Sequence, residues 1–123
     1  MLKTLLLVGL GGGVGSIIRY MAGLYVHRYF PSTFPWGTLA VNVLGCFLIG
    51  LFMGLSERST SLDPNWRLLL VVGFCGGFTT FSALSMESID LLQNNQAMTA
   101  FLYIGLSVVV GLSATLTGFL LMR

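Results

Sequence analysis

Charged side chains are almost missing from this chain. There are six Lys or Arg and four Asp or Glu in 123 residues, 8% of the total. A soluble domain carries roughly 25% charged residues, so a water-facing globular fold is excluded. The net charge is only +2, and the basic residues Lys3, Arg19, Arg28, Arg58, Arg67 and Arg123 form no run. That excludes a basic nucleic-acid surface. His27 is the single histidine, and the two cysteines, Cys46 and Cys75, lie inside apolar segments. No His/Cys cluster offers a transition-metal site, and the cysteines read as small apolar side chains rather than a disulfide framework. No nucleophile–base pair is apparent and no phosphate loop follows a strand, so the chain is not expected to be an enzyme.

What remains is apolar. Hydrophobic residues make up 55% of the chain, and mean hydropathy is +0.90. A spanning helix needs about 20 mostly apolar residues. Four candidate spans fit, over about 5–25, 36–56, 66–92 and 99–122. They make one four-helix membrane domain over 1–123, an all-α integral membrane fold. The apolar run after Lys3 superficially resembles a signal peptide. No small-residue cleavage site leads into a polar mature domain, so it reads as the first span.

The separators carry turn chemistry. Pro31-Ser32-Thr33-Phe34-Pro35 breaks the chain after span one, and Asn94-Asn95 ends span three. Asp63-Pro64 supplies an N-cap and a proline for the first helical position. Tyr25, Tyr29, Trp36 and Trp66 lie near span ends, where aromatic rings favour the interface. Four spans put both termini on one side, together with Lys3, Arg58, Arg67 and Arg123. Arg28 falls opposite. The bias leans towards termini inside but is modest, as in a protein that inserts both ways round.

Polar residues at membrane depth carry the functional information. Arg19 lies 14 residues past Leu5, about 21 Å along a helix at ~1.5 Å per residue. It is either a snorkelling side chain or a cation drawing anions into a vestibule. Gly11 and Gly15 make a small-residue pair for close helix approach. Thr38 and Asn42 share a face of span two. The Asn42 amide is either helix–helix glue or a donor to an anion. In span four, Tyr103, Ser107, Gly111 and Thr115 recur every four residues and line one stripe, either as packing glue or as a polar track.

Span three contains Gly73-Phe74-Cys75-Gly76-Gly77-Phe78-Thr79-Thr80-Phe81-Ser82. Three glycines and three hydroxyls make a poor continuous helix. The expected form is a broken third helix, stabilised by an ion and a partner subunit, since freed backbone groups at membrane depth need partners. The alternative is a close-packed helix. Glu87 follows one to two turns later, either wet and structural or part of a polar network.

These segments resemble the signatures of the Fluc (CrcB) fluoride channels. The resemblance is carried by Gly37-Thr38-Leu39-Ala40-Val41-Asn42 with Gly45, Phe47 and Gly50, and by the third-span motif with Glu87. Gly12, Gly15, Arg19 and Tyr20 are similar to the family's first span, and the match covers the whole chain. It implies a multi-pass protein of the bacterial inner membrane that passively exports fluoride and limits its cytoplasmic accumulation. It also implies an antiparallel, dual-topology dimer with two fluoride pathways. A structural, untransported sodium ion would be held by backbone carbonyls, which carry over to Gly76 and Thr79. The implied pathway comprises Thr38, Asn42, Phe81, Ser82, Tyr103, Ser107 and Thr115, with Arg19 in the vestibule and Glu87 in a polar network. The chain departs from the pattern at Leu84, where a second family phenylalanine falls, and at Gly111, where a serine is often found. These departures leave a hetero-pair open beside the homodimer.

Physical chemistry is compatible with that implication. Fluoride is small and strongly hydrated, so a pathway must offer replacement donors, such as an amide, hydroxyls and the positive edges of phenyl rings. Conduction needs weak, multiple sites, which a neutral lining with Arg19 at the entrance provides. The alternative reading is a small four-span, proton-coupled drug or cation exporter. That class requires a deeply buried, titrating carboxylate, whereas span one has no acidic residue and Glu87 lies late in span three. A third reading, a membrane assembly protein, would not need a break in span three.

Overall fold

A computed structural model describes residues 1–58 and 63–123. The chain is all-helical. α1 runs over Leu2–Tyr29 and α2 over Trp36–Arg58. The third span begins with α3, Pro64–Arg67, widens into a π stretch at Leu68–Cys75, returns to α geometry in α4, Gly76–Phe78, and continues as α5, Phe81–Gln93. α6 covers Ala97–Met122. Among the described residues, four helical segments are long and apolar enough to cross a membrane: Leu2–Tyr29, Trp36–Glu57, Pro64–Gln93 and Ala97–Met122. The protein is therefore a multi-pass membrane protein. The helices run a few residues beyond the sequence-based bounds, through polar end residues such as Lys3 and Asn65.

Local chemistry explains the boundaries. Asp63 caps α3 by accepting the Asn65 backbone N–H at 2.9 Å, with Pro64 at the first position. Between α1 and α2, the Phe34 N–H donates to Ser32 Oγ and the Trp36 N–H to the Phe34 carbonyl, which tightens the Pro31–Pro35 turn. α5 ends at Asn95, whose φ of 61° is left-handed. The Asn95 N–H reaches the Leu92 carbonyl and the Gln96 N–H the Leu91 carbonyl, a Schellman closure that asparagine tolerates better than most residues. Cys46 and Cys75 are free thiols.

Two pairs of elements make the closest approaches. α1 lies against the π stretch and α4, and α2 lies against α6. A Cβ on Gly11 would overlap the Leu69 carbonyl and the Phe74 nitrogen, and one on Gly15 the Phe74 carbonyl and the Phe78 nitrogen. Gly50 and Gly118 play the same part between α2 and α6. Lipid supplies no hydrophobic drive between helices, so backbone proximity of this kind provides the van der Waals attraction. The apolar core is small: Leu84, Leu91, Ala100 and Tyr103, with Phe34 and Leu39 packed on it. Large apolar side chains such as Leu10, Ile17, Val109 and Leu116 are exposed on the outer faces of α1 and α6, the arrangement a lipid solvent requires.

Candidate functional site

The sequence-selected polar residues fall into three places. The first is the junction of α4 and α5. Thr79 and Thr80 have extended dihedrals (φ −89°, ψ 157° and φ −152°, ψ 121°). Asn42 on α2 clasps this pair from both ends of its amide. Its Nδ2 donates to the Thr80 carbonyl at 2.9 Å, and its Oδ1 accepts the Thr80 N–H at 2.8 Å. The Thr80 hydroxyl caps α5 by accepting the Ala83 N–H at 3.2 Å, and lies 3.1 Å from Ser82 Oγ. Thr79 Oγ1 donates back to the Cys75 carbonyl. Arg19 on α1 reaches the same junction, its Nε donating to the Gly77 carbonyl at 3.0 Å.

Among the described residues, these bonds leave two carbonyls without a donor. The Thr80 N–H would reach the Gly76 carbonyl in a regular helix, but goes to Asn42. The Ala83 N–H would reach the Thr79 carbonyl, but goes to Thr80 Oγ1. Gly76 is exposed, with nothing near the position a Cβ would occupy. Phe81, the first residue of α5, is 80% exposed on the outer surface of the single chain, whereas Leu84 is buried.

The second place lies towards the end of the bundle that holds the α1–α2 and α5–α6 turns. Thr38 Oγ1 donates to Glu87 Oε1 at 2.5 Å, and the Tyr103 ring packs edge-on against Phe34 at 5.5 Å. Tyr103 is fully buried. Its hydroxyl lies near Thr38, but the Thr38 hydroxyl is turned to Glu87, so among the described residues the phenol has no partner in hydrogen-bond geometry. One turn on, Ser107 Oγ is likewise buried and unpartnered. A cleft of about 440 Å³ opens here, lined in part by His27, Thr38, Glu87 and Asp90. A second, of about 230 Å³, is lined by Arg19, Tyr20, Thr38 and Thr80. Gly23, Gly37 and Thr38 border both, so the two clefts share a wall and together make a notch, with Arg19 lining the second.

The third place is further along α6. The Thr115 hydroxyl lies 3.1 Å from both the Cys46 and the Gly111 carbonyls, so it ties α6 to α2. Arg19, Thr38, Asn42, Ser82, Glu87 and Tyr103 thus gather around the notch and the extended pair, and Thr115 lies apart. Sequence reasoning passed over Thr80, which holds the junction together through three groups. Its signal was present, a threonine directly before the α5 residues Phe81-Ser82-Ala83, as N-caps require. His27 and Asp90 carried no such signal.

The family model described as CrcB-like protein, Camphor Resistance (CrcB), matches residues 6–119. The chain belongs to this family. Among its curated relatives, a protein of Flavobacterium psychrophilum is 48% identical over 122 residues, covering 99% of this chain and 98% of the relative. One from Azobacteroides pseudotrichonymphae is 45% identical, covering 98% and 97%. One from Rhizobium johnstonii is 47% identical, covering 96% and 94%. Each of these CrcB relatives bears the name fluoride-specific ion channel FluC.

Proposed function

We propose that this CrcB chain is a fluoride-selective passive channel that lets the anion leave the cytoplasm. Beyond the names of the near-full-length relatives, the observation that carries the reading is the pair of buried, unpartnered hydroxyls on α6, Tyr103 and Ser107. A buried polar group without a partner costs about 1–3 kcal/mol, and each such group in a native fold calls for an explanation. Two donors one turn apart suit a dehydrated anion. Ser82 and the remaining N–H of the Asn42 amide extend the neutral set, Thr38 and Thr115 reach it only by giving up their present acceptors, Phe81 offers a positive ring edge, and Arg19 borders the vestibule. Glu87 is held by Thr38 and serves as the polar-network partner.

The extended Thr79–Thr80 pair is, in this reading, a functional break in the third span. The exposed Phe81 and Gly76 support a second chain packed on this face, in an antiparallel, dual-topology dimer. The uncommitted Gly76 and Thr79 carbonyls fit a hard monovalent cation, which takes neutral oxygen ligands. Sodium bound there would add positive charge beside an anion route.

The test is fluoride efflux from liposomes containing this chain alone. The expected result is passive release of fluoride without chloride and without a proton gradient. Efflux that requires a proton gradient would defeat the reading in favour of an exchanger.

A further inference from the structure

The sequence leaves Arg19 as either a snorkelling side chain or a charge at an entrance, but its geometry assigns it a different task. The extended pair Thr79–Thr80 interrupts the i→i−4 ladder between α4 and α5. The Gly77 carbonyl, whose helical donor would be the Phe81 N–H, meets Arg19 Nε at 3.0 Å instead, with Ser16 Oγ at 3.5 Å. Ser16 and Arg19 are three residues apart on α1 and share a face. α1 is held close at this level because a Cβ on Gly77 would overlap the Gly12 backbone. The guanidinium is therefore aimed at one carbonyl oxygen by a backbone-to-backbone contact. From α2, Asn42 fixes the Thr80 peptide groups.

We infer that Arg19 is a positioning residue. Its Nε–H replaces the hydrogen bond that the Gly77 carbonyl forgoes at the extended pair, and thereby fixes where α5 and Phe81 begin. With Asn42 it forms a two-sided latch built within one chain. The inference rests on the channel reading only for its consequence in conduction. The latch itself is a statement about the backbone. A charge acting at a distance and a hydrogen bond acting in place differ in two ways. The former is conserved on exchange for lysine and is screened by salt. The latter needs the planar fork of arginine and is insensitive to salt at this depth.

The experiment compares the full-length wild type with Arg19→Lys in vesicles of zwitterionic lipid. Fluoride efflux and amide hydrogen exchange of the peptide covering residues 76–83 are read in parallel. Lysine keeps the charge but loses the Nε donor. The latch requires that R19K lose efflux by about tenfold or more and that exchange over 76–83 accelerate by about tenfold, because the local opening equilibrium shifts. It also requires wild-type efflux to change by less than about twofold between ~10 mM and ~300 mM inert salt, a range over which the Debye length shrinks severalfold. Wild-type efflux or wild-type exchange in R19K overturns the inference. So does a several-fold fall of wild-type efflux with salt. The salt series needs no variant, so the inference stays exposed if R19K does not assemble. A wild type that releases no fluoride defeats the channel reading instead, and the exchange comparison still decides the latch.

Discussion

At the scale of single residues, the most informative atoms are those that lack or share partners. Tyr103 buries a hydroxyl left unpaired among the described residues. Tyr103→Phe removes that hydroxyl without changing the ring, so thermal stability in detergent is expected to hold or rise. Fluoride efflux is expected to fall by about tenfold, the equivalent of one lost donor at ~1.4 kcal/mol. A drop in stability with unchanged efflux would mark Tyr103 as a structural residue. Asn42 is the opposite case, since both ends of its amide are engaged. Asn42→Leu keeps the volume but strands the Thr80 N–H and carbonyl. The expected cost is about 2–6 kcal/mol at ~1–3 kcal/mol per stranded group, measured by unfolding in mixed micelles. Sequence alone left Asn42 between glue and pore donor. Its spacing from Thr38 put it on a face, but only the folded chain shows that the face meets Thr80.

At the scale of elements, α1 is glycine-rich, yet its glycines are not equivalent. A Cβ on Gly15 would overlap the backbone of α4 and the π stretch, whereas Gly13 has open space. Gly15→Ala is expected to destabilise the fold by about 1–3 kcal/mol through overpacking. Gly13→Ala is expected to be neutral or to stabilise by up to ~1 kcal/mol, because alanine loses less conformational freedom in a helix. Thermal melts of the two variants decide this, and equal effects would remove the close-packing account. The sequence announced glycines at the right spacing for helix contact without saying which partner they meet. It also marked the helix ends well, because Asp63-Pro64 and Asn94-Asn95 act through bonds to near neighbours. The π stretch Leu68–Cys75 was not legible. Apart from Gly73 its residues are apolar side chains that ordinary helices also carry, and nothing in their spacing marks the widening. The Arg19–Gly77 bond was equally hidden, since its partners stand 58 positions apart.

At the scale of the whole molecule, apolar side chains face outward while Thr38, Asn42, Glu87 and Tyr103 turn inward, the reverse of a soluble fold. Four spans were legible from hydropathy because lipid demands long, uninterrupted apolar helices. The proposed dimer and cation belong to this scale. Replacing sodium by a large organic cation on both sides of the membrane is expected to lower the melting temperature of the reconstituted protein. An unchanged melt would argue against cation binding at the Gly76 and Thr79 carbonyls. By sequence, Lys3, Arg58, Arg67 and Arg123 fall on the side of the termini and Arg28 on the other, a modest orientation bias. Accessibility of a terminal tag is expected to show chains inserted both ways round, and a single orientation would exclude the antiparallel pair.

The π stretch also constrains how this chain tolerates insertions and deletions. A π turn carries at least one residue more than the α turn it replaces, so it acts as a phase shift along the span. One residue more or fewer between 68 and 75 would rotate the following segment by about 100° in a helix of 3.6 residues per turn. Gly77 would then swing away from Gly12 and Arg19, and Thr80 away from Asn42. Here the count of residues, more than their identity, sets the angular alignment of everything downstream.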